Sequence, residues 1–360
     1  MLIILLSCSS GNNEPLAETQ SGGRIELEVA DTIGVELGDS NYVFGAVIDA
    51  EFLHDGNIAL LDVTRNRISV FSLEGDFISS FGREGGGPGE FAEPSQIVAL
   101  NDGRTAVPDN MHRSIIFFDS LFQYQDEITG FIPTPPLPVS AGHGASIVGM
   151  QLHYRHEAEV LHLGYRIAAW DSLTEPSRIY WEEYIIPEDN TFEMYPPRFC
   201  TDSRGRVYTA PFSWDQYEVT CISAQSDTVF QISEPYSEMQ KTQEELETEH
   251  MGYRCDTPGF DSSDRRRITA RWSPHPVRTA IADLYTDRRD RLWVRTGRRE
   301  SPSPLFEVYD STGTHVATVQ TDLGPGANNW SFVFGDSTVL AFDTNPDDYS
   351  RVMVLNIIEN

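Results

Sequence analysis

Two aspartates, Asp62 and Asp109, each close a short apolar run and are followed by a loop of the same length. Carboxylates repeated in this way can ring a channel mouth and hold a divalent cation such as calcium. An aspartate at a strand end also accepts amide protons from its own loop, and recurrence at one position favours that structural use. Arg67, and Arg113 one position short of the equivalent place, either cover the same loop or clamp a carboxylate. The run Phe81-Gly82-Arg83-Glu84-Gly85-Gly86-Gly87-Pro88-Gly89-Glu90-Phe91 has the glycine content of a phosphate cradle. It lacks the Gly-Lys-Ser/Thr ending, however, and Glu84 and Glu90 would repel phosphate, so a close-packed turn accounts for it better. Arg265-Arg266-Arg267 is a basic run that can grip an acidic ligand or the chain's own carboxylates. His153 and His156 are three apart on a strand-like segment, and no HExxH, CxxC or GxSxG pattern occurs. No catalytic residue or metal ligand is assigned. The candidate binding residues are Asp62, Arg67, Arg83, Glu84, Asp109, Arg113 and Arg265 to Arg267.

The elements that must position these residues come from an internal repeat. Leu53 to Phe71 shifted onto Leu100 to Phe118 aligns without a gap, with Asp55-Gly56 on Asp102-Gly103, Asp62 on Asp109 and Phe71 on Phe118. Each unit reads as a short apolar strand, an Asp-Gly turn, a second strand ending in Asp, a loop, a third strand, and a fourth after another turn. Asp-Gly between apolar runs marks a hairpin because these residues tolerate the positive φ of a tight turn. The pattern returns at Asp202 to Tyr208, at Asp290 to Val294 with Val308 to Gly313, and at Gly335 to Leu340 with Arg351 to Leu355. Ala145 to Tyr184 has the length and strand content of a unit without its turn signature, which brings the number to six. Four-stranded units of this length in series are propeller blades. The expected fold is therefore all-β, a six-bladed propeller of four-stranded antiparallel blades spanning 24–360. Arg24 to Val29, an isolated alternating strand, is placed to complete the last blade and close the ring.

The glycine-rich loop, then Pro94, then the Asp-Gly hairpin resembles the NHL-repeat type of six-bladed propeller, in particular bacterial envelope lipoproteins of that fold. The resemblance covers Tyr42 to Gln125 and, in outline, Ala282 to Val319. It implies the fold and leaves function open, since such propellers include binding modules, scaffolds and a few lyases or lactonases.

Strand direction assigns the loops to two faces. The Asp-Gly turns share one. The loops between second and third strands share the other with the crossovers between blades. That crossover face gathers the loop 82–91, the proline-rich stretch from Gly130 to Gly144, and an insertion at 234–276 between the fourth and fifth blades. In the insertion Ser237 to Met251 reads as a short helix. Loops on one rim of a rigid scaffold are the usual place for binding residues, so this face is expected to be functional.

The net charge of −29 argues against binding nucleic acid or anionic lipid through the body of the protein, since both need a basic surface. Lys241 is the single lysine. Residues 1–8, MLIILLSC, resemble a shortened bacterial lipoprotein signal ending in Cys8 as the lipidated residue, and 9–23 has the composition of a flexible tether. Cys200, Cys221 and Cys255 permit one disulfide in an oxidising compartment, with the pairing open. The reading is an envelope-anchored, monomeric propeller without a cofactor that binds a peptide, glycan or partner protein on its crossover face. The alternative is a lactonase- or lyase-like enzyme with a divalent cation at the channel mouth.

Overall fold

The computed structural model describes residues 24–158, 160–186, 195–247, 274–298, 303–324, 326–346 and 348–360. These form six four-stranded antiparallel sheets. The first blade is β2 (Val47–Phe52), β3 (Ile58–Asp62), β4 (Arg67–Phe71) and β5 (Phe77–Phe81). The second is β6 (Val98–Ala99), β7 (Thr105–Asp109), β8 (Ser114–Phe118) and β9 (Tyr124–Thr129). The third is β10 (Val139–Ala141), β11 (Ile147–Glu157), β12 (Val160–Trp170) and β13 (Arg178–Ile185). β14 (Arg198–Thr201), β15 (Val207–Ala210), β16 (Tyr217–Ile222) and β17 (Thr228–Glu234) make the fourth. β18 (Ile281–Thr286), β19 (Leu292–Thr296), β20 (Leu305–Tyr309) and β21 (His315–Gln320) make the fifth. The sixth joins β22 (Ser331–Phe334), β23 (Thr338–Phe342) and β24 (Val352–Glu359) to β1 (Ile25–Ile33) from the start of the chain. β1 lies antiparallel to β24 from Ile25↔Glu359 to Ile33↔Val352. The expected fold and the expected ring closure are both present.

Side-chain alternation explains why blades stack. Along β3, Ile58 and Leu60 point toward the sixth blade, and Ala59 and Leu61 toward the second. All five β3 residues are buried, because a middle strand has a blade on either side. The outer strand β5 alternates between exposed and half-buried instead. The apolar interior is accordingly six wedges, each shared by two neighbouring blades.

Among the described residues no backbone ladder joins one blade's inner strand to the next, and side chains bridge those seams. The Ile97 amide donates to Asp49 (2.6 Å). Gln96 exchanges two hydrogen bonds with Val139 (2.8 and 2.9 Å). Thr201 donates to the Ala141 carbonyl (2.7 Å), and the Val47 amide to Ser350 Oγ (3.2 Å). Each bond satisfies a backbone group that burial would otherwise leave costly.

In the 234–276 insertion the helix is shorter than expected at its start. Gln240 pairs with Val277 as a β-bridge, and helical residues begin at 243. Thr242 and Glu245 form a capping box: Thr242 Oγ1 accepts from the Glu245 amide (3.2 Å), and Glu245 accepts from the Thr242 amide (2.8 Å). That reciprocal cap fixes the first turn after Lys241. Cys8, Cys255 and Arg265 to Arg267 lie outside the described residues. Cys200 and Cys221 are free thiols two strands apart across β15. Two strand spacings amount to about 9.5 Å, too far for a disulfide between them.

Candidate functional site

The inner strands surround a central channel of about 800 Å³. Its unpaired acids stand on the first blade, where Asp49 and Glu51 occupy alternate positions of β2 and so face the same way. Both are half-buried and line the channel wall. Burial pushes the Asp49 carboxyl well up, against the Ile97 hydrogen bond, and the nearby Glu51 charge adds to the rise. Burial raises Glu51 from 4.5 to about 7, with Arg288 acting in the opposite direction. Arg288 crosses the turn-face mouth to donate to the Phe52 and Leu53 carbonyls (2.7 and 2.8 Å). Across the channel Asp283 is already engaged by Tyr285 and Arg295 (3.1 and 3.3 Å). Among the described residues, no three His, Cys, Asp or Glu side chains gather as a metal site.

The Glu51 environment gives a pH-dependent stability. The group keeps its proton in the folded state up to about pH 7 but loses it near 4.5 when unfolded, so stability falls as pH rises through that window. The deficit above pH 7 is about 3 kcal/mol at most. Glu51→Gln is expected to melt higher than the parent at pH 8 and close to it at pH 4.5. Equal melting temperatures at both pH values would refute a proton-holding Glu51.

The structure places Asp62 and Asp109 elsewhere than the channel mouth. Both side chains are fully buried at the ends of β3 and β7, and neither lines the channel. Asp62 accepts from the amides of Gly45, Ala46 and Thr64 (3.0, 3.1 and 3.2 Å). Asp109 accepts from Ala92, Glu93 and His112 (2.7, 3.1 and 2.9 Å). Each carboxylate ties the segment entering its blade to the loop between the blade's second and third strands. Arg67 opens β4 beside Asp62. Arg113 is exposed, with φ +51°, in the left-handed position that Asn66 (φ +46°) fills one blade earlier. Its carbonyl receives the Gly130 and Phe131 amides.

Loop 82–91 is closed on itself. Glu90 takes the Gly87 amide (2.8 Å) and Arg83 Nε (2.8 Å), occupying the position an anion would need. Those hydrogen bonds, the Gly87 amide foremost, hold the Glu90 carboxyl below its ordinary range. At Gly82 (φ +78°) a Cβ would sit 2.1 Å from the Phe91 ring, so only glycine fits. Glu84 is exposed and bridges Phe91 through the backbone.

Sequence reasoning missed the third blade's extension. β11 and β12 are eleven residues each, against five for β3 and β4. Residues 147–151 of β11 are buried and 154, 156 and 157 are exposed, so the hairpin leaves the body on the crossover face. Six residues of strand span roughly 20 Å. His153 and His156 point to opposite faces of this strand and cannot share a ligand. His153 Nδ1 is 2.9 Å from Tyr184 Oη, which donates to Glu182 (3.1 Å), while the Arg155 guanidinium lies 4.0 Å from the Tyr184 ring centroid. Gly164 stands between His153 and Tyr184 in the register, and its missing side chain lets them meet. The exposed apolar side chains Met111, Ile132, Tyr154, Val160, Leu161, Ile186 and Tyr195 belong to segments on the crossover side of blades two to four, with Val160 on the opposite face of the hairpin from Tyr154 and Leu161. Tyr195 stacks on Phe212 (4.4 Å), and Trp214 stacks on His275 (4.0 Å), in an aromatic cluster on the same side.

This architecture defines a six-bladed β-propeller. A family described as a 6-bladed beta-propeller (DUF5128) matches residues 43–158. No curated protein matches the chain. Among solved structures it is similar to a member of the DUF4221 family from Bacteroides vulgatus, with 10% identity, TM-score 0.54, and 94% of this chain and 100% of that one covered. It is similar also to a candidate exported protein of Bacteroides fragilis, at 14% identity and TM-score 0.51, with 92% and 95% covered. A virginiamycin B lyase from Staphylococcus aureus aligns at 10% identity and TM-score 0.47, covering 93% and 100%. At these identities the likeness is one of fold.

Proposed function

We propose that the chain is a binding propeller of the bacterial envelope, of NHL-like type and held to its membrane through a lipid on Cys8, whose crossover face docks a protein or peptide. The observation that carries this reading is the run of exposed apolar side chains along blades two to four, culminating in the projecting β11–β12 hairpin. Tyr154 and Leu161 there are 47% and 41% exposed in a chain with ample charge for a polar surface. Contiguous exposed apolar side chains mark interaction surfaces. The test is a photo-crosslinking amino acid placed at Leu161 on the crossover face or at Leu121 on the turn face, in cells making the full chain. Adducts from Leu161 alone are expected; adducts from Leu121 alone, or from neither, would overturn the assignment.

A second reading, catalysis or cation binding in the channel, draws on the Asp49–Glu51 pair. It requires that calcium raise the melting temperature of the parent protein and leave an Asp49→Asn/Glu51→Gln variant unmoved. The absence of any shift counts against it.

A further inference from the structure

We infer that the projecting hairpin captures an extended polypeptide segment as an added β-strand along the free edge of β11, at Leu152, Tyr154 and His156. The inference rests on the crossover-face reading and specifies its ligand.

The edge is left open by the proline content of the preceding crossover. β10 pairs with β11 only from Ala141↔Ile147 to Val139↔Gly149. Two further bonds, from the Met150 amide to Pro138 (3.0 Å) and from the Leu137 amide to Met150 (2.6 Å), end that contact. Pro135 and Pro136 precede, and neither has an amide proton to continue the ladder. β11 nevertheless runs on to Glu157, paired with β12 on its other side down to Glu157↔Val160. Because the Met150 N–H and C=O face the β10 side, alternation turns those of Leu152, Tyr154 and His156 the same way. Among the described residues, no backbone bond meets these six groups on that side. Three donors and three acceptors at two-residue spacing match an extended backbone and no compact ligand.

The side chains flanking the edge define the segment's character. Leu152, Tyr154, Leu161, Leu163 and Tyr165 form a mainly apolar face on one side of the hairpin, by register, with His156 opposite Leu161 at its outer end. His153, Arg155, Glu157 and His162 lie on the other, with Val160 opposite Glu157 at the tip, and Arg155 pairs with Glu157 (3.2 Å). An added strand therefore places alternate residues against apolar and polar surfaces, and a segment with apolar residues at every second position fits. A second copy of this chain is disfavoured as the occupant, since two bodies of net charge −29 repel.

The test selects binders from a phage-displayed library of random linear peptides on the intact protein, then measures the affinity of a selected peptide for variants. Tyr154→Pro removes one edge-facing donor and no hairpin bond, whereas Tyr154→Ala keeps the donor and loses the ring. Proline is expected to weaken binding roughly tenfold beyond alanine, the loss of about one backbone hydrogen bond plus its neighbour's distortion. Hydrogen exchange on the parent protein should show the Tyr154 and His156 amides slowed by the peptide. Peptides that bind at Tyr154 or Leu161, as alanine variants show, yet ignore proline and protect neither amide, would overturn strand addition and leave the docking face standing. Failure to select any peptide, or selection of peptides insensitive to every crossover-face substitution, would overturn both. Concentration-dependent dimers abolished by Tyr154→Pro would replace the foreign segment with a second copy.

Discussion

Asp62→Ala is expected to cost roughly 3–5 kcal/mol of folding stability, measured by denaturant unfolding. The carboxylate is fully buried and is the acceptor for three amides, those of Gly45, Ala46 and Thr64. Alanine leaves all three part-buried donors without their acceptor. Asp62→Asn keeps one acceptor oxygen and should lose about half as much. Asp109→Ala should behave alike, since Ala92 and Glu93 are the counterparts of Gly45 and Ala46 one blade on, and His112 donates from the same loop that supplies Thr64 in the first blade. A change below about 1 kcal/mol in both alanine variants would return these aspartates to the pool of ligand-binding candidates.

Removal of β1 should weaken the whole ring and not one edge of it. The strand contributes fully buried Ile33 and partly buried Ile25 and Leu27 to the wedges on either side of the sixth blade. Loss of those contacts and of the β24 ladder amounts to roughly 5 kcal/mol. A chain starting at Gly34 is expected to melt well below the parent and to regain stability when a peptide of residues 24–33 is supplied in trans. Identical melting curves would mean that the sixth blade is self-sufficient with three strands.

The sequence carried the blades openly because their signature is local. Asp-Gly turns and the Asp62 and Asp109 strand ends act within a few residues of themselves, so spacing alone reveals them. The same locality explains why a repeated aspartate proved to be a staple: Asp62 serves the loop that adjoins it. Asp49 and Glu51 carry no such mark. They matter only because ring closure brings six unlike inner strands around one axis, a relation of residues hundreds apart. The stitches from Gln96 to Val139 and from Val47 to Ser350 were hidden for the same reason. The hairpin was half legible. Alternation made β11 and β12 strands, but where they leave the body depends on how few residues of β10 pair with them. Helix periodicity over 237–251 was overruled at its start, where Gln240 pairs with Val277 and Thr242 caps the turn.

The partnership of β1 with β24 also orders events in time. During synthesis five blades can stack as they emerge, each on its predecessor, because their strands are consecutive in the chain. The sixth cannot, since its outer strand is made first and its neighbour ends at Glu359. A chain stopped early, by a premature stop codon or by a protease, keeps an unmatched strand at one end and an open seam at the other. Such fragments expose unpaired strand edges, which are templates for pairing with other chains. The seam therefore closes only once β24 has been made and can pair with β1.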